Sequence, residues 1–293
     1  MGYQSETLVK DKEVQNPKGG IVFVHGVCHG AWCWEKYFVP YFSAQGYRCY
    51  AVDLRGHGKS KKSLKGVRLP DYVEDTKEAV DKCIKEIGMH PYLVGHSMGG
   101  AVVQQYLGEY ADTVSGAVLF ASATAPHMPL IKTFVSTLFN KNLWYAFMVA
   151  CGCKRNWSDR IHNAAFFTGE NEAGEKVQRI EDTTPYESLL QKESWKVFML
   201  DLYSTYSENY KIDIPVFVIG SEADVYFPKE SLVKTAQKYA EYKEPAYECL
   251  KYLCHDMMID PDWEIPAELV LKFMEDPSTF IEEHPRPHDT LRK

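Results

Sequence analysis

The chain has no long hydrophobic run and no dense basic cluster. It also lacks repeats and low-complexity blocks. The longest apolar stretch of interest, Leu143 to Cys151, holds nine residues and then meets Gly152. A membrane-spanning helix needs about 18 or more, so no membrane span is expected. The first residues, MGYQSETLVKDKEV, contain no basic region followed by an apolar stretch, so no secretory signal is visible. Gly2 suggests myristoylation, but Glu6 stands where Ser or Thr is required. Lys plus Arg number 33 against 40 Asp plus Glu, a net charge of −7 spread along the chain. A nucleic-acid surface needs clustered Lys and Arg, so no nucleic-acid partner is expected. The one basic cluster, Arg55 to Lys65, reads as a solvated loop. Eight scattered cysteines do not make a disulfide framework in 293 residues. They read as reduced thiols of a cytoplasmic protein.

What is present is an alternation of short apolar runs with amphipathic stretches. Residues 20–24, 46–52, 91–95, 116–121, 215–220 and 246–252 read as buried strands. Residues 70–88, 98–110 and 264–275 carry apolar side chains at helical spacing. Strands apolar throughout, alternating with helices, imply a mainly parallel sheet covered on both faces, an α/β fold. Between about 125 and 210 the alternation stops, with helical patterns and no convincing strand. So long an insertion reads as a helical cap, because structureless loops of that length are rare. The expected organisation is a core of residues 1–124 and 211–276, a cap of residues 125–210, and a polar, flexible tail over residues 277–293.

The strongest local signal is GHSMGG, residues 95–100, which fits G-x-S-x-G between a strand and a helix. Ser97 then stands on a tight strand-to-helix turn, above helix N–H groups and the positive end of the helix dipole. A nucleophilic serine needs an acid and a base, which follow it in the order Ser, Asp or Glu, His. After the fifth strand, GSEADVYFP offers Asp224, with Glu222 as the less favoured choice. After the last strand, CLKYLCHDMMID offers His255 as the base. The turn His25–Gly26 after the first strand brings the Val27 N–H to the nucleophile as one oxyanion donor. The Met98 N–H is the other. RGHGKS (55–60) lacks the first glycine of a phosphate-binding loop, since Asp53 stands there. His25 and His29, beside Cys28 and Cys33, lie in a glycine-rich turn that sets no metal geometry. No metal or cofactor is expected.

These segments resemble the α/β-hydrolase superfamily over about residues 3–275, the cap excepted. HGVCHGAWCW is similar to the oxyanion segment of plant methylesterases and hydroxynitrile lyases. DLRGHGKS and GHSMGG resemble esterases, lipases and monoacylglycerol lipases. HDMMID followed by Trp263 resembles a bacterial carboxylesterase ending. The resemblance implies a serine carboxylesterase with an acyl-serine intermediate. Its substrate is expected to be a small to medium apolar ester, because the cap is rich in large apolar residues. The alternatives are a lactonase, a thioesterase, a hydroxynitrile-lyase-like enzyme or a non-catalytic ligand-binding relative. Lyases of that kind carry Lys directly after the triad histidine, where this chain has Asp256. The oligomeric state is left open.

Overall fold

The structure is a computed structural model. It describes residues 7–9, 14–60, 63–123, 166–199, 201–203 and 212–287, the first segment as backbone. Six parallel strands and one antiparallel edge strand form a single sheet. In chain order these are β1 (Thr7–Val9), β2 (Gly19–Val24), β3 (Tyr47–Val52), β4 (Tyr92–His96), β5 (Gly116–Phe120), β8 (Val216–Ser221) and β9 (Ala246–Leu250). They lie in the order β1-β3-β2-β4-β5-β8-β9, with β1 antiparallel to β3. All six strands expected from the sequence are present. The edge strand β1 is an addition, since three residues give no periodicity.

Period-two alternation assigns the strand residues to two cores. Ile21 and Phe23 of β2 point to one face, with Phe38 and Phe42 of α2 (Phe38–Ala44) and Phe273 of a later helix. Val22 and Val24 point to the other, against Tyr72 and Val80 of α3 (Leu69–Ile87) and Val102 and Tyr106 of α4 (Met98–Tyr110). Both faces are dry, so the strands are apolar throughout. A shorter helix, α1 (Trp32–Glu35), precedes α2. Helix α3 carries Pro70 in its first turn, with the Asp71 carboxylate accepting from the Arg68 N–H at 2.7 Å, and stops at left-handed Gly88.

The chain runs from β2 outward to β3, then crosses to β4 on the other side of β2. Between β2 and β4 the winding therefore reverses. Such a switch point opens a crevice at the carboxyl ends of the strands. Val24 pairs with Gly95 there, so the turns after β2 and β4 emerge side by side.

Two expectations are corrected. Residues 168–170 and 176–178 form a two-stranded antiparallel hairpin, β6 (Thr168–Glu170) with β7 (Lys176–Gln178), in a stretch expected to be strandless. Two short helices follow, α5 (Thr184–Glu187) and α6 (Trp195–Met199). Residues 124–165 of the expected cap lie outside the described residues, as do 200 and 204–211. The tail is the second correction. After α7 (Lys229–Tyr239) and α8 (Glu264–Glu275), Pro277–Glu283 form a further helix, α9. Asp276 caps it through the Thr279 N–H and hydroxyl, at 3.1 and 2.7 Å. Phe280 is buried against Phe217 and Phe273, and Pro285 bridges Ala246 of β9. Polar composition concealed one buried aromatic anchor. Residues 288–293 lie outside the described residues.

Candidate active site

Ser97 has φ 53° and ψ −117°, a left-handed conformation for a residue with a Cβ. Its N–H donates to the Phe120 carbonyl at 3.1 Å. Its own carbonyl accepts from the N–H groups of Gly100 and Ala123, both at 3.0 Å. Those bonds hold a backbone state that costs about 1–3 kcal/mol. Sharp turning leaves no room for neighbours. A Cβ on Gly99 would lie 2.6 Å from the His25 carbonyl oxygen, and one on Gly26 would lie 3.0 Å from Ser97 Cβ. The turn after β2 is therefore in direct contact with the serine.

His255 and Asp224 come together from the loops after β9 and β8. His255 Nδ1 donates to Asp224 Oδ2 at 2.8 Å, with both side chains 1 % exposed. The other oxygen of Asp224 accepts from the N–H groups of Tyr226 and Phe227, at 2.7 and 3.2 Å. Three donors fix one carboxylate. Glu222, the alternative acid, instead points outward to Lys229 at 2.6 Å. Burial acts to depress the His255 pKa. The charge and hydrogen bond of Asp224, with Asp256 beyond, outweigh it and raise the pKa above the ordinary value. His96 ties the histidine loop to β4, its Nε2–H donating to the His255 carbonyl at 3.2 Å. The rings of Tyr226, Phe227 and Phe166 surround the imidazole at 4.9, 5.6 and 6.4 Å between centroids. These walls exclude water and make each charge interaction stronger.

The two expected oxyanion donors are backbone groups. Among the described residues the Val27 N–H gives no hydrogen bond within the protein. Met98 is the first residue of α4, where N–H groups have no intrahelical acceptor. Both are available to a ligand oxygen.

The decoys resolve as side-chain structure. His25 Nδ1–H donates to the Gly26 carbonyl at 2.8 Å, and Nε2 accepts from the Leu54 N–H at 3.2 Å. Burial holds its pKa well below the ordinary histidine value. His29 turns its Nε2 to Asp256 at 2.8 Å. His57 meets Glu193 at 3.2 Å in a buried ion pair, and Glu193 also accepts from Tyr72 Oη at 2.6 Å. His96, His255 and Asp256 bring potential ligand atoms within 4.8 Å of one another. His255 is held by Asp224 and Asp256 by His29, so the cluster is committed to hydrogen bonding. The sequence pattern gives Asp256 and Glu193 no role. Their partners lie 227 and 136 positions away, and no local pattern announces such pairs. Cys33, Cys83, Cys249 and Cys254 are in no disulfide.

A strand-order switch point, a serine on a strained strand-to-helix turn, and a buried acid–histidine pair on the loops after β8 and β9 define the α/β-hydrolase fold class. A family model described as serine aminopeptidase, S33 (Hydrolase_4) matches residues 15–262, and the chain belongs to that family. Methylesterase 10 of Arabidopsis thaliana is 34% identical over 129 residues, which is 43% of this chain and 46% of that protein. Methyl jasmonate esterase 1 of Vitis vinifera is 35% identical over 106 residues, 36% of this chain and 39% of that one. The chain thus matches less than half the length of these curated relatives. Among solved structures, a bromoperoxidase from Bacillus anthracis superposes with a TM-score of 0.65 at 20% identity, covering 89% of this chain and 94% of that one. The monoacylglycerol lipase of Paleococcus ferrophilus gives 0.60 at 22%, covering 88% and 95%. At those identities the superpositions speak for the fold. No described helix is long and apolar enough to cross a membrane.

Proposed function

We propose that the protein is a serine carboxylesterase, with Ser97 as nucleophile, His255 as base and Asp224 as the acid that orients it. The observation that carries this reading is the buried His255–Asp224 hydrogen bond beside a strained Ser97 turn. His255 Nδ1 carries the proton given to Asp224, which leaves the Nε2 lone pair to take the proton of Ser97. Ser97 Oγ attacks the ester carbonyl. The N–H groups of Val27 and Met98 receive the negative charge that develops on the carbonyl oxygen, at the positive end of α4. Asp224 stabilises the imidazolium that forms. His255 then protonates the leaving alcohol, and water repeats the sequence on the acyl-serine. No step calls for a metal or an organic cofactor.

The aromatic walls formed by Phe166, Tyr226 and Phe227 favour a small to medium apolar ester over a charged one. The names of the plant relatives point to esters as well. Residues 166–199 and 201–203, the described part of the expected cap, act as a cap over a core that extends through α9. Gln191 supports this, since its N–H donates to the Cys28 carbonyl at 2.8 Å and its side chain accepts from the Gly58 N–H. The buried thiols of Cys33, Cys83 and Cys254 suit a reducing, cytoplasmic setting.

The test is hydrolysis of p-nitrophenyl esters from acetate to palmitate, with aminoacyl p-nitroanilides alongside because the family description names an aminopeptidase. Ester turnover that vanishes in Ser97→Ala is expected. Wild-type turnover in Ser97→Ala would refute the mechanism, and turnover of anilides alone would reassign the substrate class.

A further inference from the structure

A second histidine–carboxylate pair lies beside the first, and the mechanism above does not use it. His29 and Asp256 are 1 % and 0 % exposed, with His29 Nε2 at 2.8 Å from Asp256 Oδ2. The other ring nitrogen of His29 faces the Val27 carbonyl oxygen at 2.6 Å. A carbonyl can only accept, so Nδ1 carries a proton. The ring thus spans the Val27 carbonyl and the Asp256 carboxylate with its two nitrogens. The ring is clamped in that orientation by Trp32, stacked at 5.0 Å, and by the edge of Phe166 at 4.8 Å.

The ends of this pair lie on the two loops that must cooperate. Asp256 follows His255 directly. Its N–H donates to the Phe166 carbonyl at 3.2 Å, and its carbonyl accepts from the Ile259 N–H at 2.9 Å. His29 closes the turn that contains Val27. The Gly26 carbonyl is gripped by His25 Nδ1 at 2.8 Å and by the His29 backbone N–H at 3.4 Å. That carbonyl belongs to the same trans peptide as the Val27 N–H, and the two groups point in opposite directions. Holding the oxygen aims the N–H. His29 Nδ1 holds the next peptide in turn.

We infer that His29 and Asp256 are positioning residues for acyl transfer: the buried pair ties the loop of the base to the turn of the Val27 oxyanion donor and fixes their separation. The inference rests on the reading of Ser97, Asp224 and His255 as the catalytic groups. A displacement of about 1 Å at such a site costs about a hundredfold in rate. Asp256 also adds negative charge near His255, whose other facing groups are Asp224, His96 and the Tyr226 ring. His29 faces Asp256 and His96.

The test uses the full chain and p-nitrophenyl acetate, comparing wild type, Ser97→Ala, His29→Gln, Asp256→Asn and the double variant His29→Gln/Asp256→Asn. Each single change is expected to lower kcat by about tenfold to a hundredfold, with KM changed by less than about threefold. The double variant should lose no more than the worse single one, since either change breaks the same link. Asp256→Asn should also shift the acid limb of kcat/KM to lower pH, which a purely structural defect would not do, whereas His29→Gln should not lower it. Single variants within about twofold of wild-type kcat, additive losses, or an unmoved acid limb in Asp256→Asn would overturn the inference. Failure of both single variants to fold, judged by circular dichroism, would assign the pair to folding and overturn it too. An inactive Ser97→Ala beside unimpaired His29→Gln and Asp256→Asn defeats this inference alone. An active Ser97→Ala defeats the reading beneath it.

Discussion

Phe280→Ala tests whether the polar C-terminal segment belongs to the fold. Phe280 is 3% exposed, packed at 5.0 Å from Phe217 and 5.8 Å from Phe273, with His284 stacked on its outer face at 4.1 Å. Burying about 170 Å² of phenyl surface at about 25 cal/mol per Å² contributes about 4 kcal/mol. Residual burial in the unfolded chain lowers that to about 3 kcal/mol. The result sits at the lower end of the ~3–5 kcal/mol found for Phe→Ala in cores. With a urea slope of about 3 kcal/mol per molar for a chain of this size, the midpoint should fall by about 1 M at unchanged slope. The assay is urea unfolding followed by tryptophan fluorescence. Helix α9 also supports the last strand, because the Tyr247 N–H donates to the His284 carbonyl at 2.9 Å. Ester turnover should therefore fall at sub-denaturing urea sooner than in wild type. A midpoint shift under about 0.2 M would mean that α9 is not docked, and the argument would fail.

Three further outcomes are expected. Ser97→Gly removes the Cβ from a left-handed backbone and should raise the unfolding free energy by about 1 kcal/mol while abolishing turnover; an unchanged melting temperature would argue against strain at the turn. Asp224→Asn should cost about 10³–10⁴ in kcat. Because Asp224 helps raise the His255 pKa, the residual acid limb should move to lower pH, and a pH–rate profile in both proteins reads this directly. The His57–Glu193 pair should make stability pH-dependent. Burial would depress His57, but Glu193 raises its pKa above the ordinary histidine value, so this stabilisation is full below about pH 6.5 and is lost as pH rises through the folded value. Burial would raise Glu193, but His57 lowers its pKa, so its share is present above about pH 4.5 and is lost as pH falls through the folded value. Glu193→Gln should therefore lower the melting temperature most near pH 6 and least near pH 9, and an equal loss at both would contradict the pairing.

Part of the molecule is legible in local sequence. Ile21 to Val24 are buried on both faces, so their continuous apolar run is itself the signature of a central parallel strand. Ser97 is legible because a tight strand-to-helix turn demands glycines at fixed neighbouring positions, a local steric requirement written in six consecutive residues. Asp224 and His255 can be nominated because strand ends deliver loops to one edge of a parallel sheet. Preferring Asp224 to Glu222 gains its physical reason in three dimensions, where one carboxylate turns inward to two backbone N–H groups and the other outward to a lysine.

The role of the C-terminal segment turned on Phe280 finding Phe217, 63 positions earlier. The hairpin β6–β7 has three residues per strand, too few to show a period. The pairs His29–Asp256 and His57–Glu193 join segments more than a hundred positions apart. Periodicity and turn chemistry are local, so the sequence by itself determined the layers, the strand ends and the nucleophile's turn. Which buried charge meets which depends on how distant loops converge at the sheet's edge, and only the tertiary structure decided that.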